Sequence, residues 1–433
     1  MIKLKPLLAP GSLKNNTLWN LLGAGAPFLL GIITIPFLMH QVGVERFGIL
    51  TLVWALIGYF SLFDFGLGRA LTQQVAANKA IGKVEHLKRL VNTGLLLTLI
   101  TGLLGGILLA IISKELGYHW LNVSLDLQKD TFHCLLIASL GIPLTTLTSG
   151  LKGILEAYED FKAVNLLKVL LGTANFGFPT ISIIIWGDSL ELMVASLIFA
   201  RIIILIAHIF LVQKKIPRHY QAKLGNKAEL KELLSFGVWM TISNIISPLM
   251  VTADRFVISS IVGASLVAYY TVPFEMLFRI LIIPSALTTT LFPRFTSLSK
   301  VDLFAANLLY RKSLKIVGMI LFTICVIIGI GSFWGISIWL GKDFASHAWN
   351  IASIMAIGIF FNGLAQVPYA AIQAAGKVKI TALLHSVELL IYLPILILFL
   401  KLFGLIGAAI AWVLRVLIDL VILLIFAKKS YFN

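Results

Sequence analysis

Twelve apolar runs follow one another along this chain of 433 residues, each close to the length that crosses a bilayer as a helix. A hydrocarbon core of ~30 Å takes about 20 helical residues. Runs of that order lie near 18–39, 48–70, 93–113, 132–151, 165–186 and 191–212. After a polar gap they resume near 235–261, 266–291, 314–335, 348–374, 381–400 and 404–427. Composition agrees: 59% of the residues are hydrophobic and 12% charged, where soluble domains hold about 45–50% and about 25%. No soluble fold of this size hides so much apolar surface. A soluble enzyme, a disordered regulator and a disulfide scaffold are excluded, and the fold class is an all-α polytopic membrane protein.

The net charge of +16 would suit nucleic acid if it were spread over a surface. Instead the basic residues sit in short clusters between the apolar runs, as they do where they fix membrane orientation. With the N-terminus inside, 26 of the 35 lysines and arginines fall on cytoplasmic segments. Five lie on the opposite side (Arg46, Lys114, Lys129, Lys342 and Lys401), and Arg201, Arg255, Arg279 and Arg415 lie within spans. This asymmetry predicts twelve transmembrane helices, both termini cytoplasmic and no nucleic-acid partner. The first run, Leu18 to Met39, exceeds the ~7–15 residues of a secretory h-region and reads as the first span. The longest outer loop runs from Lys114 to Thr131. The longest inner connection, 213–234, separates an N-terminal six-helix bundle (1–212) from a C-terminal one (235–433).

Sliding the chain by 220 residues lays the second half on the first. Trp19 falls on Trp239, Leu29 on Leu249, Val42-Gly43 on Val262-Gly263 and Thr51 on Thr271. Helix, tight outer turn and next helix keep register without a gap. Six spans per half is an even number, so the halves share topology and are expected to relate by a pseudo-two-fold along the membrane normal. Chance likeness between apolar segments is the competing explanation.

Charges inside hydrocarbon cost several kcal/mol unless they face protein or water. The acids in spans are Asp64, Asp254, Glu275, Glu388 and Asp419. Glu275 and Arg279, and likewise Arg415 and Asp419, stand four residues apart on one helix face and are expected to pair. Arg201, Arg255, Asp64, Asp254 and Glu388 have no such local partner and are candidates to line an aqueous cavity. Nine prolines within spans, among them Pro27, Pro36, Pro248 and Pro284, suit bent helices around such a cavity, although membrane helices are proline-rich in general. Cys134 and Cys325 read as small packed hydrophobes, and His208 and His385 as packed neutral histidines. No metal-ligand spacing, no phosphate-binding G-x-x-x-x-G-K-[ST] loop and no H-E-x-x-H or G-x-S-x-G motif occurs, so no metal or cofactor is expected and the chain reads as a carrier, not an enzyme.

The segment Val42-Gly43-Val44-Glu45-Arg46-Phe47-Gly48-Ile49, followed by Leu62-Phe63-Asp64-Phe65-Gly66-Leu67-Gly68-Arg69-Ala70, resembles the start of Wzx-type polysaccharide flippases. These belong to the MOP (multidrug/oligosaccharidyl-lipid/polysaccharide) exporter superfamily. Asp254-Arg255, Ile258, Gly263, Ala268-Tyr269-Tyr270 and Pro284 through Leu291-Phe292-Pro293-Arg294 fit the same pattern. The resemblance implies a flippase of the bacterial inner membrane that moves an undecaprenyl-pyrophosphate-linked oligosaccharide, such as an O-antigen unit, to the periplasmic leaflet. It implies two bundles facing each other in a V and working by alternating access. It also implies a proton or sodium ion as driving partner, and a polysaccharide polymerase and chain-length regulator as neighbours. An anionic pyrophosphate-sugar headgroup needs an arginine-bearing path. Arg201, Arg255, Arg279 and Arg415 are the candidates, with Arg69 at the inner entrance; Trp54, Tyr59, Tyr269, Tyr270 and Tyr369 are candidates to stack on sugar rings. Glu388, Asp64 and Asp254 are the candidate ion-coupling acids.

The alternatives are another exporter of the superfamily, for drugs or for a different lipid-linked sugar, and a membrane enzyme of polysaccharide assembly. The charge asymmetry gives a direct test. Cysteine labelling should place positions 88, 223, 300 and 377 inside and positions 129 and 342 outside; periplasmic labelling at 223 would overturn the division into two six-helix halves.

Overall fold

Backbone groups in hydrocarbon have no water to bond, so the chain must satisfy them within each segment. The computed structural model describes residues 10–121, 123–216, 227–262 and 264–431, and every regular element among them is helical. Lys3, Lys5, Arg218, Lys223, Gly263 and the middle of the expected connection, 217–226, lie outside the described residues. Nine helical segments among the described residues are long and apolar enough to cross a membrane.

The chain divides into two compact units, Met1–Val238 and Trp239–Asn433. The first holds α1 (Pro10–Val42), α2 (Val44–Phe60), α3 (Leu67–Ala80), α4 (Val84–Glu115), α5 (Leu125–Ser139), α6 (Gly141–Ala157), α7 (Phe161–Trp186) and α8 (Leu190–Lys215). The boundary falls within α9 (Lys227–Val262). The second unit continues with α10 (Ala264–Phe278), α11 (Ile282–Val301), α12 (Leu303–Leu340), α13 (Lys342–Ala374) and α14 (Val378–Tyr431). Asp160, Ser189 and Asp302 cap the starts of α7, α8 and α12, each side-chain oxygen accepting a backbone N–H of the first turn.

Several expected spans are interrupted. The run 48–70 leaves the helix at a 3₁₀ turn, Ser61–Asp64, passes through left-handed Phe65 (φ 45°) and Gly66 (φ 66°), and restarts as α3. The run 266–291 is broken by a 3₁₀ turn at Arg279–Leu281. The runs 381–400 and 404–427 both lie in α14, which bends at Gly404 (φ 59°, ψ −145°). Groups from Glu388 and Asp419 lie within 4.8 Å of each other, and these residues stand 16 and 15 positions either side of Gly404. The two arms of α14 therefore run antiparallel, as two helices joined by a glycine turn.

Outward faces of α4 and α12 are as apolar as the core: Leu104, Ile107, Ile111, Ile327 and Ile330 are all exposed. In lipid, apolarity alone does not hold helices together, and close approach through small residues does much of that work. A Cβ at Gly106 of α4 would stand 2.8 Å from the Ser139 carbonyl oxygen, and one at Gly358 of α13 would overlap the Trp412 ring. α13 packs against α10, α11, α12 and α14, and its buried face carries Ala345, Ala348, Ala352, Ala356, Gly363 and Ala370. Cys134 and Cys325 are buried free thiols, as expected.

Gly153 of α6 touches the Gly68 carbonyl so closely that a Cβ there would overlap it, whereas Gly177 of α7 faces open space. Gly153→Ala should lower stability by about 1–3 kcal/mol through overpacking, and Gly177→Ala should not. Thermal unfolding of the detergent-solubilised variants, followed by size-exclusion, checks the contrast.

Candidate functional site

The C-terminal unit gathers its charged side chains into one buried cluster. Folding α14 back at Gly404 sets His385, Glu388 and Tyr392 of its first arm beside Arg415 and Asp419 of its second. At roughly 1.5 Å per residue, Glu388 and Asp419 stand roughly 23 Å along the arms from the turn, well inside a span. His385, Glu388 and Asp419 each bring a ligand atom to within 4.8 Å of the others. The His385 ring stacks on Tyr369 of α13, with centroids 5.4 Å apart and planes at 9°. The Arg415 guanidinium lies over the Tyr392 ring, 5.1 Å from its centroid. Asp254 of α9, 1% exposed, accepts a hydrogen bond of 3.1 Å from the Tyr270 hydroxyl of α10.

Hydrogen bonding in this cluster is incomplete. Among the described residues, Asp254 Oδ1, His385 Nδ1, Glu388 Oε1, the Tyr392 hydroxyl, Arg415 Nε and Nη1, and Asp419 Oδ1 are buried without a partner. Unmet polar capacity in a low-dielectric interior is costly, which marks such a site as one that binds something or changes state. The expected Arg415–Asp419 ion pair is not closed: the guanidinium stacks on Tyr392 instead.

The N-terminal unit is arranged differently. Asp64 sits at the helix break, where Oδ1 accepts the Gly66 N–H at 2.8 Å and Oδ2 accepts the Ser149 hydroxyl at 2.7 Å. Its carboxylate holds a turn and ties it to α6. Arg69 lies 4.0 Å from buried Glu156, which Lys152 also approaches at 3.6 Å. Beyond the end of α6, Lys79 lies over the Tyr158 ring, 4.4 Å from its centroid, and burial pushes the Tyr158 hydroxyl up from its ordinary value. Arg201 is 9% exposed, and its Nη1 donates to the Leu197 carbonyl of its own helix at 3.1 Å. Among the described residues no carboxylate lies within ion-pair distance of it. It stands eleven residues into α8, roughly 16 Å from the helix start.

The structure brings Arg415, Glu388 and Asp254 together and leaves Arg69, Arg201 and Asp64 in the other unit. Arg255 pairs with Glu275 across two helices, which removes Glu275 from the pairing expected with Arg279. The α-helical alignment ends where the 3₁₀ turn starts at Arg279. Of the aromatic candidates, Tyr270 is committed to Asp254 and Tyr369 to His385, while Tyr269 packs on Phe344 and His347. Trp54 packs edge-on against Phe47 and Phe176, and Tyr59 is exposed. His385 and Asp419 are site residues that the sequence reading missed. The available signal was His385-x-x-Glu388, two ligating types one turn apart on one helix face.

Comparison with known proteins agrees with this architecture. The model of a family described as "Polysaccharide biosynthesis protein" matches residues 13–299. The chain is 36% identical over 421 residues to a Shigella flexneri protein named "Putative O-antigen transporter", covering 95% of this chain and 97% of that one. It is 25% identical over 381 residues to "Uncharacterized membrane protein EpsK" of Bacillus subtilis, covering 84% and 72%. Among solved structures, MATE in the bent conformation superposes with a TM-score of 0.83 at 14% identity, over 96% of this chain and 94% of that one. The Vibrio cholerae MATE transporter VcmN in its bent form gives 0.81 at 17% identity, over 97% and 96%. At these identities the structures establish a common fold only.

The geometry at Asp64 separates a structural acid from a titrating one. Asp64→Asn keeps an acceptor for the Gly66 N–H and should stay within about 1 kcal/mol of wild type. Asp64→Ala leaves both donors unmet and should cost about 1–3 kcal/mol. Thermal unfolding of the two variants checks this; equal stability would remove Asp64 from the turn.

Proposed function

Because the chain belongs to the polysaccharide biosynthesis protein family, and so to the MOP superfamily of polytopic transporters, we propose that it flips a lipid-linked oligosaccharide. It is a carrier and not an enzyme. The proposed substrate is an undecaprenyl-pyrophosphate-linked repeat unit, O-antigen or similar, moved from the cytoplasmic to the periplasmic leaflet by alternating access. The observation that carries this reading is 36% identity along nearly all of both chains to the Shigella flexneri relative, whose name states O-antigen transport.

The proposal includes twelve crossings in two six-helix halves (1–212 and 235–433, joined by 213–234), inner-membrane location and cytoplasmic termini. Polymerase and chain-length regulator are its proposed neighbours. Arg201 is the leading headgroup ligand, since a buried guanidinium without a carboxylate suits a pyrophosphate that arrives and leaves. Arg255, Arg279 and Arg69 are secondary ligands, the first already bonded to Glu275 and the last close to Glu156. Arg415 is assigned to the C-terminal cluster, where Glu388 and Asp254 couple transport to a proton or sodium gradient. Asp64 is assigned to the helix break and not to coupling.

The second reading is an exporter of the same superfamily for another solute, and it is supported by the shared fold with MATE proteins. Flipping of a fluorescent undecaprenyl-pyrophosphate oligosaccharide in proteoliposomes, with and without a pH or sodium gradient, separates the two. Wild type should flip it. Arg201→Ala should lose at least tenfold in rate, and Arg201→Lys should retain part because charge survives while bidentate geometry is lost. Glu388→Gln should lose gradient dependence. Gradient-driven efflux of a cationic drug without oligosaccharide flipping would establish the second reading.

A further inference from the structure

We propose that His385, Glu388 and Asp419 form a site for a small inorganic cation, and that Arg415 is its built-in competitor, exchanged between this site and Asp254. The inference rests on the reading of the C-terminal acids as the coupling site and specifies how they work. Its basis is a charge count and a geometry. Asp254, Glu388 and Asp419 can carry three negative charges, and Arg415 supplies one positive charge among them. Asp254 faces Arg415, and so do Glu388 and Asp419 on the other side. The guanidinium is held between the two sets over the Tyr392 ring. Its Nε and Nη1 bond to neither set, so the arginine is not committed.

Groups facing this point come from every element packed around it: Asp254 from α9, Tyr270 from α10, Tyr369 from α13, and both arms of α14. Glu388 is 8% exposed and His385 9%, and each aims an unpartnered atom into the site. With Arg415 drawn to Asp254, Glu388 and Asp419 face each other without a counter-charge and take up a cation, with His385 as neutral donor. With Arg415 drawn to Glu388 and Asp419, the cation is displaced and Asp254 keeps only its tyrosine bond. Cation occupancy on α14 is thereby linked to the pairing state of Asp254 on α9, and linkage of this kind is reciprocal.

The experiment is equilibrium binding to the full-length protein in nanodiscs, read by thermal shift, with no substrate and no gradient. Three probes are used: Na⁺ at fixed ionic strength, Zn²⁺, which suits a mixed imidazole–carboxylate set, and H⁺ as a pH series without Na⁺. At least one should stabilise wild type, and Glu388→Gln and Asp419→Asn should each weaken its binding at least tenfold. Arg415→Gln should tighten binding at least fivefold. Asp254→Asn should weaken it at least threefold, and that weakening should vanish in the Arg415→Gln background. No binding by any probe overturns the site; an Asp254→Asn effect that persists without Arg415 overturns the exchange.

Hydrogen exchange on wild type gives a second reading, independent of whether the arginine variant folds. Cation should change protection around residue 254 of α9 as well as in α14, and a change confined to α14 overturns the link. Wild type that shows these shifts yet transports without gradient dependence refutes coupling alone. Gradient-driven transport without the shifts refutes the arginine exchange alone.

Discussion

Everything in this fold depends on satisfying backbone polar groups where water is absent. A helix does so by itself, and every departure from helix must be met by a side chain or by the identity of the residue at the break. The interruptions illustrate different solutions. After Ser61–Asp64 the Asp64 carboxylate takes the Gly66 N–H and a serine hydroxyl from α6. Around Arg279–Leu281 the chain restarts with Pro284 as the third residue of α11. There the missing N–H would have had no partner in any case. At Gly404 a left-handed glycine turns the chain back on itself. The first two breaks lie close to 220 residues apart, the offset that relates the two halves in sequence. One backbone problem recurs, and different residues answer it.

The same scarcity of water governs the charges. A lone guanidinium is tolerated on α8 because Arg201 bonds its own helix carbonyl and keeps a sliver of exposure. The C-terminal unit instead concentrates acids around one arginine. An uncompensated buried charge costs far more than a paired one, so this cluster has fewer resting states than its residue list suggests. Each state needs positive charge from somewhere, and Arg415 supplies only part of it. That shortage, more than the presence of any single acid, is what makes the cluster responsive.

How much of this was legible in the sequence depends on the range of the interaction. Apolar runs report their own burial, so the helical segments were readable directly. The breaks were not, because Ser61–Phe65 and Arg279–Leu281 carry no polar stretch to mark them. Side-chain pairing failed in a specific way. The i,i+4 rule proposed Glu275–Arg279 and Arg415–Asp419, which holds for a helix alone in water. In the packed unit Glu275 finds Arg255, twenty residues away, and Arg415 finds the Tyr392 face across the Gly404 turn. Asp64, at the centre of the most recognisable motif, was read as a coupling acid. Its two hydrogen bonds show that the motif describes a turn: Gly66 supplies the left-handed conformation, and Gly68 the close approach to Ser149.

The repeat explains why one unit carries the cation chemistry and the other does not. Within the stretch that aligns at 220 residues, Asp254 corresponds to Thr34. Thr34 spends its hydroxyl on the Leu30 carbonyl of its own helix at 3.0 Å, a local bond that asks nothing of neighbouring helices. A carboxylate at the matching point cannot be satisfied locally, since a helix interior offers it no free N–H. It must recruit Tyr270 and face Arg415 from other helices. A single exchange of hydroxyl for carboxylate thus turns a self-contained helix face into the hub of an interhelical network. The shared scaffold accepts either residue, because helix, turn and next helix are built the same way in both halves: α1 ends at Val42 and α2 starts at Val44, and α9 ends at Val262 and α10 starts at Ala264. Duplication supplied the frame twice, and substitution at matched positions made one copy polar enough to bind.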